Sequence, residues 1–114
     1  MQTKVDILGY VNYSFLMVDL LKTDEFDKWM LGLRDRQAKA RIAVRLDRMA
    51  GGNFGDAKSV GKGLMELRIT YGPGYRIYYV WSGVVCVILL CGGDKGSQAR
   101  DIVRAQELKK ELGL

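Results

Sequence analysis

The stretch Leu64–Trp81, LMELRITYGPGYRIYYVW, decides the fold. Its first half alternates: Met65, Leu67, Ile69 and Tyr71 point one way, Glu66, Arg68 and Thr70 the other. Gly72-Pro73-Gly74 interrupts the alternation with a strong turn signal. Period two then resumes over Tyr75–Trp81, with Tyr75, Ile77, Tyr79 and Trp81 on one face. Two such runs joined by a turn read as an antiparallel hairpin. If Tyr71 and Tyr75 pair across the turn, Thr70 faces Arg76 and Arg68 faces Tyr78. Arg68 and Arg76 then share a face as diagonal neighbours. That face is expected to meet solvent, so truncating Arg76 is expected to leave the fold intact.

Downstream, Ser82-Gly83 is a short turn into a third strand, Val84–Cys91, apolar at every position. Such a run implies burial on both faces and a central place in the sheet. Cys86 and Cys91 lie in it five residues apart, which an unbroken strand would place on opposite faces, as unpaired thiols. Gly92–Gly96 reads as a loop, and Ser97 as the cap of a C-terminal helix carrying Ile102, Ala105, Leu108 and Leu112.

Upstream, Asn53–Gly63 is a glycine-rich loop. Arg34–Ala50 is helical, with Ala38, Ile42, Leu46 and Met49 as its apolar stripe and Arg34, Arg41, Arg45 and Arg48 on a neighbouring one. Gly51-Gly52-Asn53 ends it. A shorter helix is capped by Asp24 and carries Phe26, Trp29, Met30 and Leu33; before it, MVDLLK at 17–22 is a first strand. The predicted order is β-α-α-β-β-β-α: an α+β domain with a helical hairpin packed on a curved, mainly antiparallel four-stranded sheet, plus a C-terminal helix.

The chain has 114 residues, enough for one domain over 17–114, with 1–16 read as an N-terminal extension and Met17 as an alternative start. Hydrophobic residues make up 48% and charged residues 27%, as in a soluble globular domain. The N-terminus lacks the pattern of a signal peptide, and no run is long enough to span a membrane. A cytoplasmic protein without membrane association is expected. A net charge of +5 without any histidine points to an anionic partner. Two cysteines and no histidine supply too few ligands for structural zinc, and neither metal nor cofactor is expected. The motifs GxxxxGK[ST], GxGxxG and HExxH are absent, as is a nucleophile elbow.

Arg68 and Arg76 on one sheet face repel unless an anion or carboxylate lies between them. They are either a satisfied ion-pair surface, with Glu66 as the offset, or a phosphate clamp, to which planar guanidinium groups are suited. Tyr78 beside them offers a ring for stacking or a hydroxyl. Lys95, in Gly92-Gly93-Asp94-Lys95-Gly96, would extend the anion site.

Over Leu20–Leu112 the pieces GNFGD, ELRI, GPGYRIYY and LLCGGDK-x-x-Q-x-x-DI resemble the HigB-like branch of the RelE/ParE toxins, addiction-module killer proteins of type II toxin–antitoxin systems. The resemblance implies a curved antiparallel sheet against a helical hairpin, and ribosome-dependent, metal-independent cleavage of mRNA that inhibits translation. It implies Arg76 as the contact to the scissile phosphate, Arg68 and Lys95 as further basic catalytic positions, and Arg34, Arg41, Arg45 and Arg48 toward RNA or ribosome. Glu66 stands where some RelE members carry lysine, and Asp101 near where many carry a late tyrosine. The general base is therefore open among Glu66, Asp94, Asp101, Tyr75 and Tyr78. A cognate antitoxin, of helix-turn-helix type in this branch, is the implied protein partner. Two other readings share the fold: a ParE-like inhibitor of DNA gyrase, which binds without catalysis, and a relic that only binds antitoxin and operator DNA.

Overall fold

The computed structural model describes residues 17–114, and the reading of 1–16 as an extension lies outside the described residues. The elements run β1 (Asp19–Lys22), α1 (Asp24–Gly32), α2 (Arg36–Ala50), β2 (Ala57–Gly61), β3 (Leu64–Ile69), β4 (Tyr75–Ser82), β5 (Cys86–Asp94), a 3-10 turn (Lys95–Ser97) and α3 (Gln98–Glu111). The sheet order is β1-β5-β4-β3-β2, antiparallel except where β1 runs parallel to β5. This is the predicted α+β arrangement with one strand more. The fifth strand, β2, lies inside the stretch read as loop. Only Ala57 and Val60 of its five residues are even half-buried, so this edge strand lacks an apolar signal.

Helix boundaries follow local capping. Thr23, not Asp24, caps α1, its hydroxyl oxygen accepting the Phe26 amide at 3.0 Å. Asp35 caps α2 by accepting from Gln37 at 2.9 Å and Ala38 at 3.2 Å, which leaves Arg34 in the connection ahead of the helix. Ser97 is the N-cap residue of α3, as predicted, but its hydroxyl donates to Asp101 rather than capping a helix amide. The Asp94 carboxylate caps the preceding 3-10 turn by accepting from Gly96 at 2.8 Å and Ser97 at 3.2 Å. Leu112 lies just past the helix and is exposed.

Both sheet faces are covered. On one, Phe26, Ala38, Ile42, Leu46 and Met49 of the α1–α2 hairpin pack on Leu67, Ile69, Ile77, Tyr79, Val87 and Leu89. On the other, Ala105 and Leu108 of α3 pack on Leu64, Tyr78, Val80, Leu90 and Cys91. The face expected to meet solvent is thus half roofed by α3. Arg104 fastens this helix to the start of α1 through Glu25 at 2.7 Å. As predicted, β5 is interior, flanked by β1 and β4.

A bulge in β5 moves the register from Tyr78↔Cys91 to Tyr79↔Leu89. Leu90 and Cys91 consequently both turn toward α3. Cys86, paired with Ser82 two residues beyond Val80↔Ile88, faces the same way. The cysteines therefore share a face, contrary to simple alternation, and both are free.

The segment Gly92-Gly93-Asp94 is not loop but the end of β5. A Cβ on Gly92 would overlap the Trp29 ring, and one on Gly93 would overlap the Asp101 carboxylate. The two glycines let α1 and α3 press onto opposite faces of the same strand.

Candidate functional site

The register β3–β4 places Arg68 directly opposite Arg76, and Ile69 opposite Tyr75. The expected pairing of Tyr71 with Tyr75 is displaced because β3 stops at Ile69 and Gly72-Pro73-Gly74 sits in a wider turn. The displacement is even-numbered, so the two arginines keep a common face. Two cross-strand rows run beside the N-terminus of α3. The first is Arg68–Arg76–Gly93, and the second is Lys58–Glu66–Tyr78–Cys91.

The second row holds a buried polar cluster. Glu66 is 0% exposed. Its Oε2 accepts the Tyr78 hydroxyl at 3.0 Å and the Gln98 Nε2 at 2.7 Å. Its Oε1 stands 3.8 Å from Arg76 Nε, and neither atom has a hydrogen-bond partner among the described residues. The Tyr78 hydroxyl is pushed well above the usual tyrosine range, first by burial and then by its bond to Glu66. Glu66, Tyr78 and Gln98 come from ELRI, GPGYRIYY and the GGDK-x-x-Q segment, so three separate motifs meet here.

Arg76 is not a free surface residue. Only 12% of its side chain is exposed, and Nη1 donates to the Gly74 and Tyr75 carbonyls at 3.2 and 3.3 Å. Lys95 is exposed just beyond it. A Cβ on Gly74 would lie 3.4 Å from Lys95 Cβ and 3.5 Å from Arg76 Nη1, so the Arg76 guanidinium and the root of the Lys95 side chain both approach this glycine. Gly74 has φ +81, a conformation that suits glycine. Arg68 is half-exposed and held by Asp56 through Nε at 3.1 Å and Nη2 at 2.8 Å.

The candidate bases are sorted by burial. Glu66 and Tyr78 are sealed. Tyr75 belongs to the opposite core, edge-on to Trp29 at 6.2 Å, and does not face Arg76. Asp94 is committed to capping. Asp101 stands over Gly93, the cross-strand neighbour of Arg76, with 13% of its side chain exposed and Arg100 Nε 3.7 Å away.

The arginines of α2 lie toward the hairpin face, across the sheet from Arg76. Arg45 points inward, donating to the Arg68 carbonyl at 2.6 Å and the Phe54 carbonyl at 3.1 Å. Arg41 covers the Tyr71 ring at 4.6 Å. Arg48 is exposed and lines, with Arg41, Arg45, Val44 and Ile69, an open groove of about 440 Å3. Three of the four arginines thus share one groove on the hairpin side, apart from Arg76, and Arg34 lies ahead of the helix.

Gln98 and Asp56, which contact Glu66 and Arg68 in the candidate site, had no role in the sequence reading. Both lie in quoted motifs, where Gln98 occupies the Q of GGDK-x-x-Q and Asp56 the D of GNFGD. The rest of GNFGD is structural: Phe54 stacks on Trp81 at 5.2 Å, and Gly55, at φ +66, lies against the Arg45 guanidinium.

Residues 28–110 match the family described as phage derived protein Gp49-like (DUF891). The chain is also similar to a Haemophilus influenzae protein named only as uncharacterized. The two are 48% identical over 99 residues, which span 87% of this chain and 100% of that relative. On both grounds the chain belongs to the Gp49-like family.

Proposed function

We propose that this chain is the toxin of a type II toxin–antitoxin pair, acting in the cytoplasm as a metal-independent endoribonuclease on mRNA held by the ribosome. Gp49-like membership, the resemblance to RelE/ParE toxins and the +5 net charge support the reading. The observation that carries it is the placement of Arg76 and Lys95 about Gly74. The Arg76 guanidinium is held by the Gly74 and Tyr75 carbonyls, and the side chain of the exposed Lys95 starts next to the same glycine, within reach of a shared phosphate.

In this reading the ribose 2′-oxygen attacks the adjacent phosphorus and the bond to the 5′-oxygen breaks. The leaving 5′-oxygen takes a proton from water, so the products are a 2′,3′-cyclic phosphate and a 5′-hydroxyl. Arg76 and Lys95 neutralise the charge that grows on the phosphoryl oxygens, with Arg68 one strand further along the row. Asp101 is the base that takes the 2′-hydroxyl proton, since Glu66 is sealed and Asp94 is committed to capping. A helix-turn-helix antitoxin is the partner that holds the toxin inactive, through acidic side chains matched to the basic surface.

The test is induction in cells with sequencing of RNA 5′-ends. Cuts within open reading frames that vanish when translation is blocked support the proposal. Intact mRNA together with DNA breaks linked to gyrase would overturn it in favour of the ParE-like reading.

A further inference from the structure

We propose that Gln98 is a positioning residue for Arg76, acting through the buried Glu66 carboxylate. The inference rests on the nuclease reading of Arg76. Glu66 has two oxygens with separate tasks. Oε2 is fixed by two donors, Gln98 at 2.7 Å and Tyr78 at 3.0 Å. This leaves Oε1 aimed at Arg76 Nε from 3.8 Å. That separation exceeds a hydrogen bond, so charge holds the guanidinium without consuming its Nε–H. Nη1 is tied to two turn carbonyls. Between these restraints the guanidinium is held in one orientation next to Gly74, where the Lys95 side chain also starts. Such pre-orientation lowers the reorganisation needed when phosphate arrives.

The route from helix to active side chain is short and specific. Gln98 is the first residue of α3, so docking of that helix places its amide over Glu66. Without Gln98, the carboxylate keeps one donor and can rotate about its terminal torsion, and Arg76 loses a fixed counter-charge. Gln98 itself is a neutral amide one residue removed from the phosphate site, so it takes no proton and touches no reacting atom.

The experiment uses the full chain with the variants Gln98→Ala and Tyr78→Phe. It reads the Arg76 Nε–H resonance and its solvent exchange, and mRNA cleavage on purified ribosomes. In the wild type that Nε–H is expected to exchange at least about tenfold more slowly than that of the exposed Arg100. In both variants its exchange is expected to accelerate and its shift to move. Cleavage should fall about tenfold in kcat, with KM changed less than about twofold, because phosphate attraction remains while orientation is lost. Wild-type-like exchange and kcat in a folded variant would overturn the positioning role, as would fast exchange in the wild type. If Gln98→Ala does not fold, Gln98→Leu makes the same test, keeping most of the side chain's size while removing its donor to Glu66. A wild-type protein that cuts no RNA defeats the nuclease reading alone, and the resonance still decides whether Gln98 orders Arg76.

Discussion

Arg68 and Arg76 face each other directly across β3 and β4, yet each is matched to its own carboxylate: Asp56 for Arg68 and the buried Glu66 for Arg76. Two cations can stand in one cross-strand row because the charges are offset from opposite sides. The ion-pair surface and the phosphate clamp, posed as alternatives by the sequence, are here compatible.

The buried partner changes what Arg76→Ala does. Removing the guanidinium leaves Glu66, 0% exposed, without its counter-charge. Stranding a buried charge costs about 3 kcal/mol or more, far above the change expected at an exposed position. Arg76→Ala is therefore expected to lower the urea midpoint markedly, and Arg76→Ala combined with Glu66→Gln to recover part of the loss. A single variant as stable as wild type would show that Glu66 needs no counter-charge there.

Gly92 is predicted to tolerate no side chain. Its Cβ would enter the Trp29 ring, which is pinned between Phe26 at 5.7 Å and Tyr75 at 6.2 Å. Overpacking of this kind costs about 1–3 kcal/mol, so Gly92→Ala should lose that much in chemical denaturation. Gly92→Ala combined with Trp29→Leu should regain some of it.

Burial pushes the Cys91 thiol up to about 12, with Asp101 adding to the shift. The thiolate is the reactive form. In a thiol titration at mildly alkaline pH, Cys91 should stay unmodified in the native protein and react on unfolding. Rapid native-state labelling of Cys91 in a Cys86→Ser background would contradict this burial.

Much of the architecture was legible because α1, α2, β3, β4 and α3 each carry an unmixed period of apolar residues. What was not legible has particular causes. Strand β2 has too few apolar residues to announce itself. The β5 bulge reverses side-chain direction at Leu90 without any glycine at that position. Glu66 and Arg76 read as surface charges because alternation marks a face but not what covers it. Their roof is α3, some thirty residues away from Glu66 in sequence: Gln98 donates across a separation of 32 residues. Arg45 read as one of a solvent-facing stripe, and its inward turn depends on the carbonyls of Phe54 and Arg68 lying within reach.

The acid limb of stability should respond to Glu25 and Asp35. Arg104 holds the Glu25 carboxyl below its ordinary value, chiefly by hydrogen bonding. The Ala38 amide, with the Tyr71 hydroxyl, does the same for Asp35. A carboxyl depressed in the folded state contributes stability that is present above its unfolded value and is lost as pH falls through the folded one. Glu25→Gln and Asp35→Asn should each flatten the decline in Tm below about pH 4.5, while leaving the shape of the curve near neutrality unchanged. Both groups are largely solvent-screened, so each effect is small. An acid limb as steep in the double variant as in the wild type would contradict these assignments.

Lys95→Ala separates the function of the basic edge from its stability. Lys95 is exposed in the 3-10 turn, and the cap there is made by Asp94 and backbone amides rather than by the lysine. Its truncation should therefore change stability by less than about 0.5 kcal/mol. Arg76 and Glu66 keep their pairing in this variant, so a functional loss cannot be blamed on a stranded buried charge. If Lys95 shares the phosphate with Arg76, losing it should slow mRNA cleavage by about tenfold to a hundredfold. It should also reduce the salt dependence of RNA binding, because one fewer counterion is released. Lys95→Arg should keep most of both, since the position asks for charge at an exposed edge rather than for one donor geometry. The measurements are growth after induction, cleavage on purified ribosomes at several salt concentrations, and thermal unfolding of each variant. A folded Lys95→Ala protein that cleaves at the wild-type rate, with an unchanged salt slope, would remove Lys95 from the site and leave Arg76 as its sole sheet-edge cation beside Arg68.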